Sequence, residues 1–248
     1  MTAAAVRVER AWVAARLVLP PTEEPRRGWY ADEVVAAHAA VSAFAAAHGW
    51  ADRVRPFFRR VEVFADQAGL WTRLRVSFGL PDDAPLPTPS LAGALEQGVL
   101  TVVTPEVYAR VQPRYGAVPG AYARLLAHEM AHRLHIAVLD GDEARMGPTW
   151  FYEGFAVVAS GDLIGLEAET ADDLWRHVRA EGAGAYARYA AALRFLAARV
   201  PLQELVARAG EAGFGAVQRP AWNGATGAVG SGSQRKTPLK VSSIVVQA

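Results

Sequence analysis

Leu125-Leu126-Ala127-His128-Glu129-Met130-Ala131-His132-Arg133-Leu134 is the stretch on which the reading of the chain turns. Alanine, leucine, methionine and glutamate favour helix, and no glycine or proline interrupts Tyr122 to Leu139, so a helix is predicted over those residues. Residues four apart lie on one helical face, one turn from each other. His128 and His132 therefore offer two imidazoles to a common point, and Glu129 projects beside them. This is the spacing HExxH, with two nitrogen ligands for a metal ion and a carboxylate within reach of a water held there. The chain has no cysteine, so thiolate sites, disulfides and cysteine nucleophiles are excluded, and any transition metal is held by nitrogen and oxygen.

Zinc in a catalytic site takes three protein ligands and keeps one position open. His135 lies on nearly the same face as His132, but a third ligand from one helix would sit too far along the axis to complete a tetrahedron. A metzincin would place glycine at His135 and histidine at Val138. Asp140, Asp142 and Glu143 fall in a glycine-containing turn and read as solvated charges. Glu153, in Pro148-Thr149-Trp150-Phe151-Tyr152-Glu153-Gly154-Phe155-Ala156, meets the requirement best. Gly141, Gly147 and Pro148 mark a turn that returns a second helix, predicted over Thr149 to Ser160, against the first. Gly154 removes a side chain where the two helices must pack closely. A capping role suits Glu153 poorly, because with Thr149 as N-cap the capping-box position is Tyr152.

Around these two helices the pattern is mixed. Val6 to Leu19 alternates in part and is expected as a strand. Ala31 to His48 is expected as a helix stopped by Gly49, Arg60 to Phe64 as a strand, Asp66 to Leu74 as a short helix and Arg75 to Leu80 as another strand. Pro81 to Pro89 reads as a loop, and Val99 to Val103, β-branched between Gly98 and Pro105, as the clearest strand. Further helices are expected over Ala171 to Ala180, Ala185 to Val200 and Leu202 to Arg208. Strands followed by helices indicate an α+β fold, in which residues 1–59 form an N-terminal strand and helix packed on a catalytic domain over residues 60–212.

The chain has 248 residues, 52% hydrophobic and 21% charged, which is the arithmetic of a folded domain with a real core. Its net charge of +1 gives no basic excess for a nucleic-acid surface, so no nucleic-acid partner is expected. The longest uncharged run, Val34 to Ala51, is half alanine and holds His38 and His48, so no membrane segment is expected. Arg7, Glu9, Arg10 and Arg16 interrupt the N-terminus, no signal peptide is read there, and a cytoplasmic location is the default. The only lysines are Lys236 and Lys240. Ala221 to Gln234 is rich in glycine and serine, so residues 221–248 are expected to be a disordered tail without chemistry. Sequence alone leaves the oligomeric state open.

HExxH followed by Trp150-Phe151-Tyr152-Glu153-Gly154-Phe155-Ala156 resembles the gluzincin metallopeptidases. The second segment is similar to the WxxEGxA segment of the membrane-alanyl-type aminopeptidases, and the nearest overall likeness is to small bacterial peptidase-MA-like domains. The resemblance spans about Arg60 to Arg199 and is tight from Leu125 to Ser160. It implies a thermolysin-like zincin fold, a zinc ion and hydrolysis of peptide or protein substrates. It makes His128, His132 and Glu153 the metal ligands and Glu129 the general base. It also makes Val99, Leu100, Thr101 and Val102 the sheet edge along which an extended peptide lies. Related domains carry a tyrosine on a later helix to stabilise the oxyanion; Tyr186 resembles it, with Tyr189 and His177 as alternatives. Two departures stand out. The family often has a carboxylate four residues after the glutamate ligand, where this chain has Val157, with Asp162 as a possible substitute. No GxMEN segment, the amine-recognition element of the aminopeptidases, is found upstream, so an endopeptidase or oligopeptidase is expected. The competing reading is a catalytically inactive peptidase-like domain that binds a partner.

Overall fold

The computed structural model describes residues 3–86, 91–161, 170–181 and 184–214. In chain order the elements are α1 (Ala3–Arg16), β1 (Leu17–Val18), α2 (Arg27–Ala47), β2 (Arg60–Phe64), α3 (Gln67–Phe78), β3 (Gly93–Glu96), β4 (Val99–Val103), α4 (Pro105–Val111), the single turn α5 (Pro113–Gly116), α6 (Ala121–Val138), α7 (Thr149–Ala159), α8 (Ala171–Val178), α9 (Ala185–Ala197) and α10 (Leu202–Arg208). The fold is α+β and mostly helical, with a small mixed sheet in the order β1-β2-β4-β3. β1, β2 and β4 are parallel, and β3 runs antiparallel on the outer side of β4.

Two expected strands are helical. Val6 to Leu19 is α1 as far as Arg16, and only Leu17 and Val18 pair, with Val61 and Glu62. The alternation was a poor guide, because the alanines of this segment favour helix, and Val13 is buried against the core from α1 while Leu17 is buried from β1. Arg75 to Leu80 is the end of α3. Asp66 caps that helix by accepting from the Gly69 amide, Leu70, Trp71 and Leu74 are buried at helical spacing, and Gly79 stops it at φ 64°. β3 and the helices α4 and α5 were not foreseen. The segment expected to be an N-terminal unit shares its core with the rest: one cluster of buried side chains runs from Val13 to Ala209. Residues 221–248, expected to be a tail, lie outside the described residues, as do Asp162 and part of the proline-rich loop. Among the described residues no helix is long and apolar enough to cross a membrane.

α6 lies against α2 on one side and α7 on another, and also touches β3. α7 makes its most extensive packing with α9. The close approach foreseen at Gly154 is therefore to α9 rather than to α6. A Cβ built at Gly154 would stand 2.7 Å from the Tyr189 carbonyl oxygen and 2.9 Å from its carbon. Both are backbone atoms that cannot swing aside. Gly154→Ala is expected to force α7 and α9 apart and to cost about 3 kcal/mol, the upper end for overpacking. Urea unfolding checks this, and an unchanged midpoint would refute the packing argument.

Candidate metal centre

α6 is a continuous helix of 18 residues, so His128 and His132 stand on one face as their spacing requires. α7 returns after the turn at Gly141 and Gly147 and brings Glu153 between them. All three side chains are buried. His128 Nε2 is 3.2 Å from His132 Nε2 and 3.2 Å from Glu153 Oε2, and His132 Nε2 is 3.6 Å from Glu153 Oε2. Four ligands set tetrahedrally about 2.0–2.1 Å from a zinc ion would stand about 3.3–3.4 Å apart. The observed triangle has that size. Two imidazole nitrogens face one another at its centre, an arrangement that a shared cation satisfies. The trio can hold a metal ion.

Electrostatics support the same use. Burial alone would raise the pKa of Glu153, but the charge of His132 and hydrogen bonds with His128 and His132 more than offset it and bring it down to about 2. The glutamate is thus held anionic beside the two imidazoles. Glu129 is the reverse case. It is fully buried, and neither carboxylate oxygen has a hydrogen-bond partner. Burial first, then the charges of Glu153 and Glu96, push its pKa well above the usual carboxylate range, while the backbone amide of Leu95 opposes this without coming into hydrogen-bond contact. A dehydrated carboxylate beside the ligands binds a proton strongly, which a general base needs.

Tyr186 is brought to the centre by α9. It is buried, its ring is 5.7 Å from that of His128, and burial first, then the nearby charge of Glu153, push the pKa of its hydroxyl well up. Tyr189 is not available in the same way, because its hydroxyl donates to the Ala180 carbonyl. Val157 packs with Tyr186 and Ala190. The position where the resemblance places an orienting carboxylate thus supports the tyrosine with apolar contact. Among the described residues His132 Nδ1, which is buried, has no hydrogen-bond partner, whereas a metal-bound histidine usually has an acceptor there.

His135 does not join the centre. It is 0% exposed, its ring stacks on Phe155 at 4.4 Å, and neither nitrogen is hydrogen-bonded. Burial, with a smaller contribution from His132, lowers its pKa from 6.5 to about 3. Between those values the unfolded chain binds the proton and the folded chain does not, so this residue's contribution to stability is full above pH 6.5 and is lost as pH falls toward 3. The expected slope approaches 1.4 kcal/mol per pH unit. Urea unfolding of metal-free protein at pH 7 and pH 5 should show it, and His135→Leu should flatten it. An equal slope in the variant would mean another group is responsible.

The strand expected to pair with a peptide needs correction. Val99, Leu100, Thr101 and Val102 belong to β4, whose two sides are taken by β2 and β3. Its backbone groups are already used. The outer strand on this side of the sheet is β3, whose Ala94 and Leu95 are themselves buried. The Val103 amide donates to the Ala92 carbonyl at 2.9 Å, and in an antiparallel ladder such groups alternate. Ala92, Ala94 and Glu96 therefore turn their backbone toward β4, and Gly93 and Leu95 turn theirs outward, where the Leu95 amide acts on Glu129.

Glu96, at the end of this strand, was missed from the sequence. Its Oε1 is buried with no partner, and burial raises its pKa to about 7. Comparison of the chain with protein-family models, with curated proteins and with solved structures finds no match.

Proposed function

We propose that this chain is a zinc-dependent peptidase of gluzincin type. The observation that carries the reading is the buried triangle of His128, His132 and Glu153 with an unpartnered Glu129 beside it. Two histidines and one glutamate, with no cysteine available, are the donor set of zinc hydrolases rather than of closed structural zinc sites. Zinc, when bound, supplies a Lewis acid and brings the pKa of a coordinated water toward neutrality. The chain's own residues do the rest. Glu129 takes the proton of the attacking water and delivers it to the departing amine. Tyr186, packed beside His128, donates to the oxygen of the attacked carbonyl as it gains charge. The outward backbone groups of Gly93 and Leu95 hold the substrate in extended form along β3. This placement supports a zincin-like cleft between the β3 edge and α6.

Glu96 bears on where the peptide is cut. A carboxylate with one buried oxygen left without a partner, next to the general base, is a place for a cation, and the free amine of a peptide supplies one. This favours removal of N-terminal residues over the internal cleavage expected from sequence. The test is incubation of zinc-loaded protein with matched free and N-acetylated peptide libraries, read by mass spectrometry. Free-amine peptides should be shortened from the N-terminus. Glu96→Gln should lower that rate about 10- to 100-fold, the loss of a charged hydrogen bond, and leave acetylated peptides unaffected. Equal cleavage of both libraries would remove the role of Glu96, and no cleavage of either would remove the peptidase.

A further inference from the structure

A cavity of about 540 Å³ lies between α1, α2 and residues 51–58, on the side of the molecule formed by α1. Its size is within the range of small-molecule sites, about 300–1,000 Å³. Most of its wall is apolar: Val13 and Val34 are buried in the helix faces, and Trp12 and Phe58 meet with ring centres 5.5 Å apart. The polar groups are few. The Ser42 hydroxyl is already spent, donating to the His38 carbonyl at 2.7 Å. His38 Nδ1 stands 3.7 Å from Glu9 Oε1. The other oxygen, Glu9 Oε2, is buried and has no hydrogen-bond partner. Arg55 is exposed and so belongs to the mouth of the cavity rather than its interior.

We infer that this cavity binds a small organic cation, a protonated amine on an apolar, partly aromatic body, with Glu9 as its counter-ion. The unmet need inside is that of an acceptor, so the ligand must bring a donor. A carboxylate beside aromatic rings favours a donor that is positively charged, because both the charge and the ring faces attract it. An anion in the interior would face the Glu9 carboxylate, with Arg55 only at the mouth. The site shares no residue with the metal centre and does not depend on the peptidase reading.

The experiment uses three probes with one body and three head groups: 4-phenylbutylamine, 4-phenylbutanol and 4-phenylbutyrate, titrated calorimetrically into the full chain at pH 7. The amine should bind one-to-one, with the alcohol and the acid at least about tenfold weaker. Glu9→Gln keeps the shape of a partly exposed side chain and should weaken the amine by about tenfold or more while leaving the alcohol unchanged. Val35→Trp, at a half-buried lining position, should fill the space and weaken both. Binding of the acid as tight as that of the amine, no saturable binding by any probe, or amine binding unchanged in both variants would each overturn the inference.

Discussion

Glu129→Gln should leave the metal in place and stop the chemistry. The substitution keeps the side chain's size, so α6 and its two histidines keep their positions, and one equivalent of zinc should remain by elemental analysis. What is lost is the proton acceptor. Peptide hydrolysis should fall about 10²–10⁴-fold, the range for losing a positioned general base. The buried environment sharpens the contrast. Glu129 has no hydrogen-bond partner on either oxygen, so no neighbour is arranged to take over its proton. The variant should also unfold no more easily than wild type, because a buried neutral amide replaces a carboxylate whose charge is opposed by burial and by Glu153 and Glu96. Equal rates in the two proteins would refute the mechanism. If neither cleaves any peptide while both hold zinc, the inactive binding domain becomes the better account.

The site was more legible than the fold around it, for a physical reason. His128, Glu129 and His132 depend only on the 3.6-residue turn of one helix, and Glu153 depends on one further turn and helix. Short-range geometry of this kind is written in spacing. The sheet is not local. Val99 to Val103 could be recognised as a strand from its β-branched run, but not that it would be interior, because that depends on β3 folding back on it. β3 itself, Gly93-Ala94-Leu95-Glu96, has a glycine, an alanine and a leucine and no β-branched residue, so its propensity gives no strand signal. It is a strand because β4 offers it a ladder and α6 covers it. Glu96 was overlooked along with it. α1 was misread for the opposite reason: an alternation across Val6 and Val8 concealed the alanines that decide the matter. The placing of Tyr186 needed tertiary structure as well, since only the packing of α9 sets its ring beside His128 and the Tyr189 hydroxyl on the Ala180 carbonyl.

His128→Ala should abolish metal binding and, with it, the stabilisation that metal provides. The three donor atoms form a triangle of 3.2, 3.2 and 3.6 Å, and removing one corner leaves an imidazole and a carboxylate that cannot enclose an ion. In wild type, zinc at a hundred times its dissociation constant should add about 2.7 kcal/mol to unfolding, because it binds the folded chain alone. The melting temperature should therefore rise with zinc in wild type and not in the variant. Without metal the comparison keeps its sign for a different reason. The buried Glu153 is held anionic by the charge and hydrogen bonds of His132 and His128, so the variant also removes one of its two supports. Metal-free His128→Ala should accordingly be less stable than metal-free wild type, and a second change, Glu153→Gln, should recover part of that loss while restoring no metal. Acidification should release zinc from wild type, since an imidazole must be neutral to ligate. One equivalent of tightly held metal in His128→Ala, or an equal zinc-dependent rise in its melting temperature, would place the ion elsewhere and remove the basis for the catalytic reading.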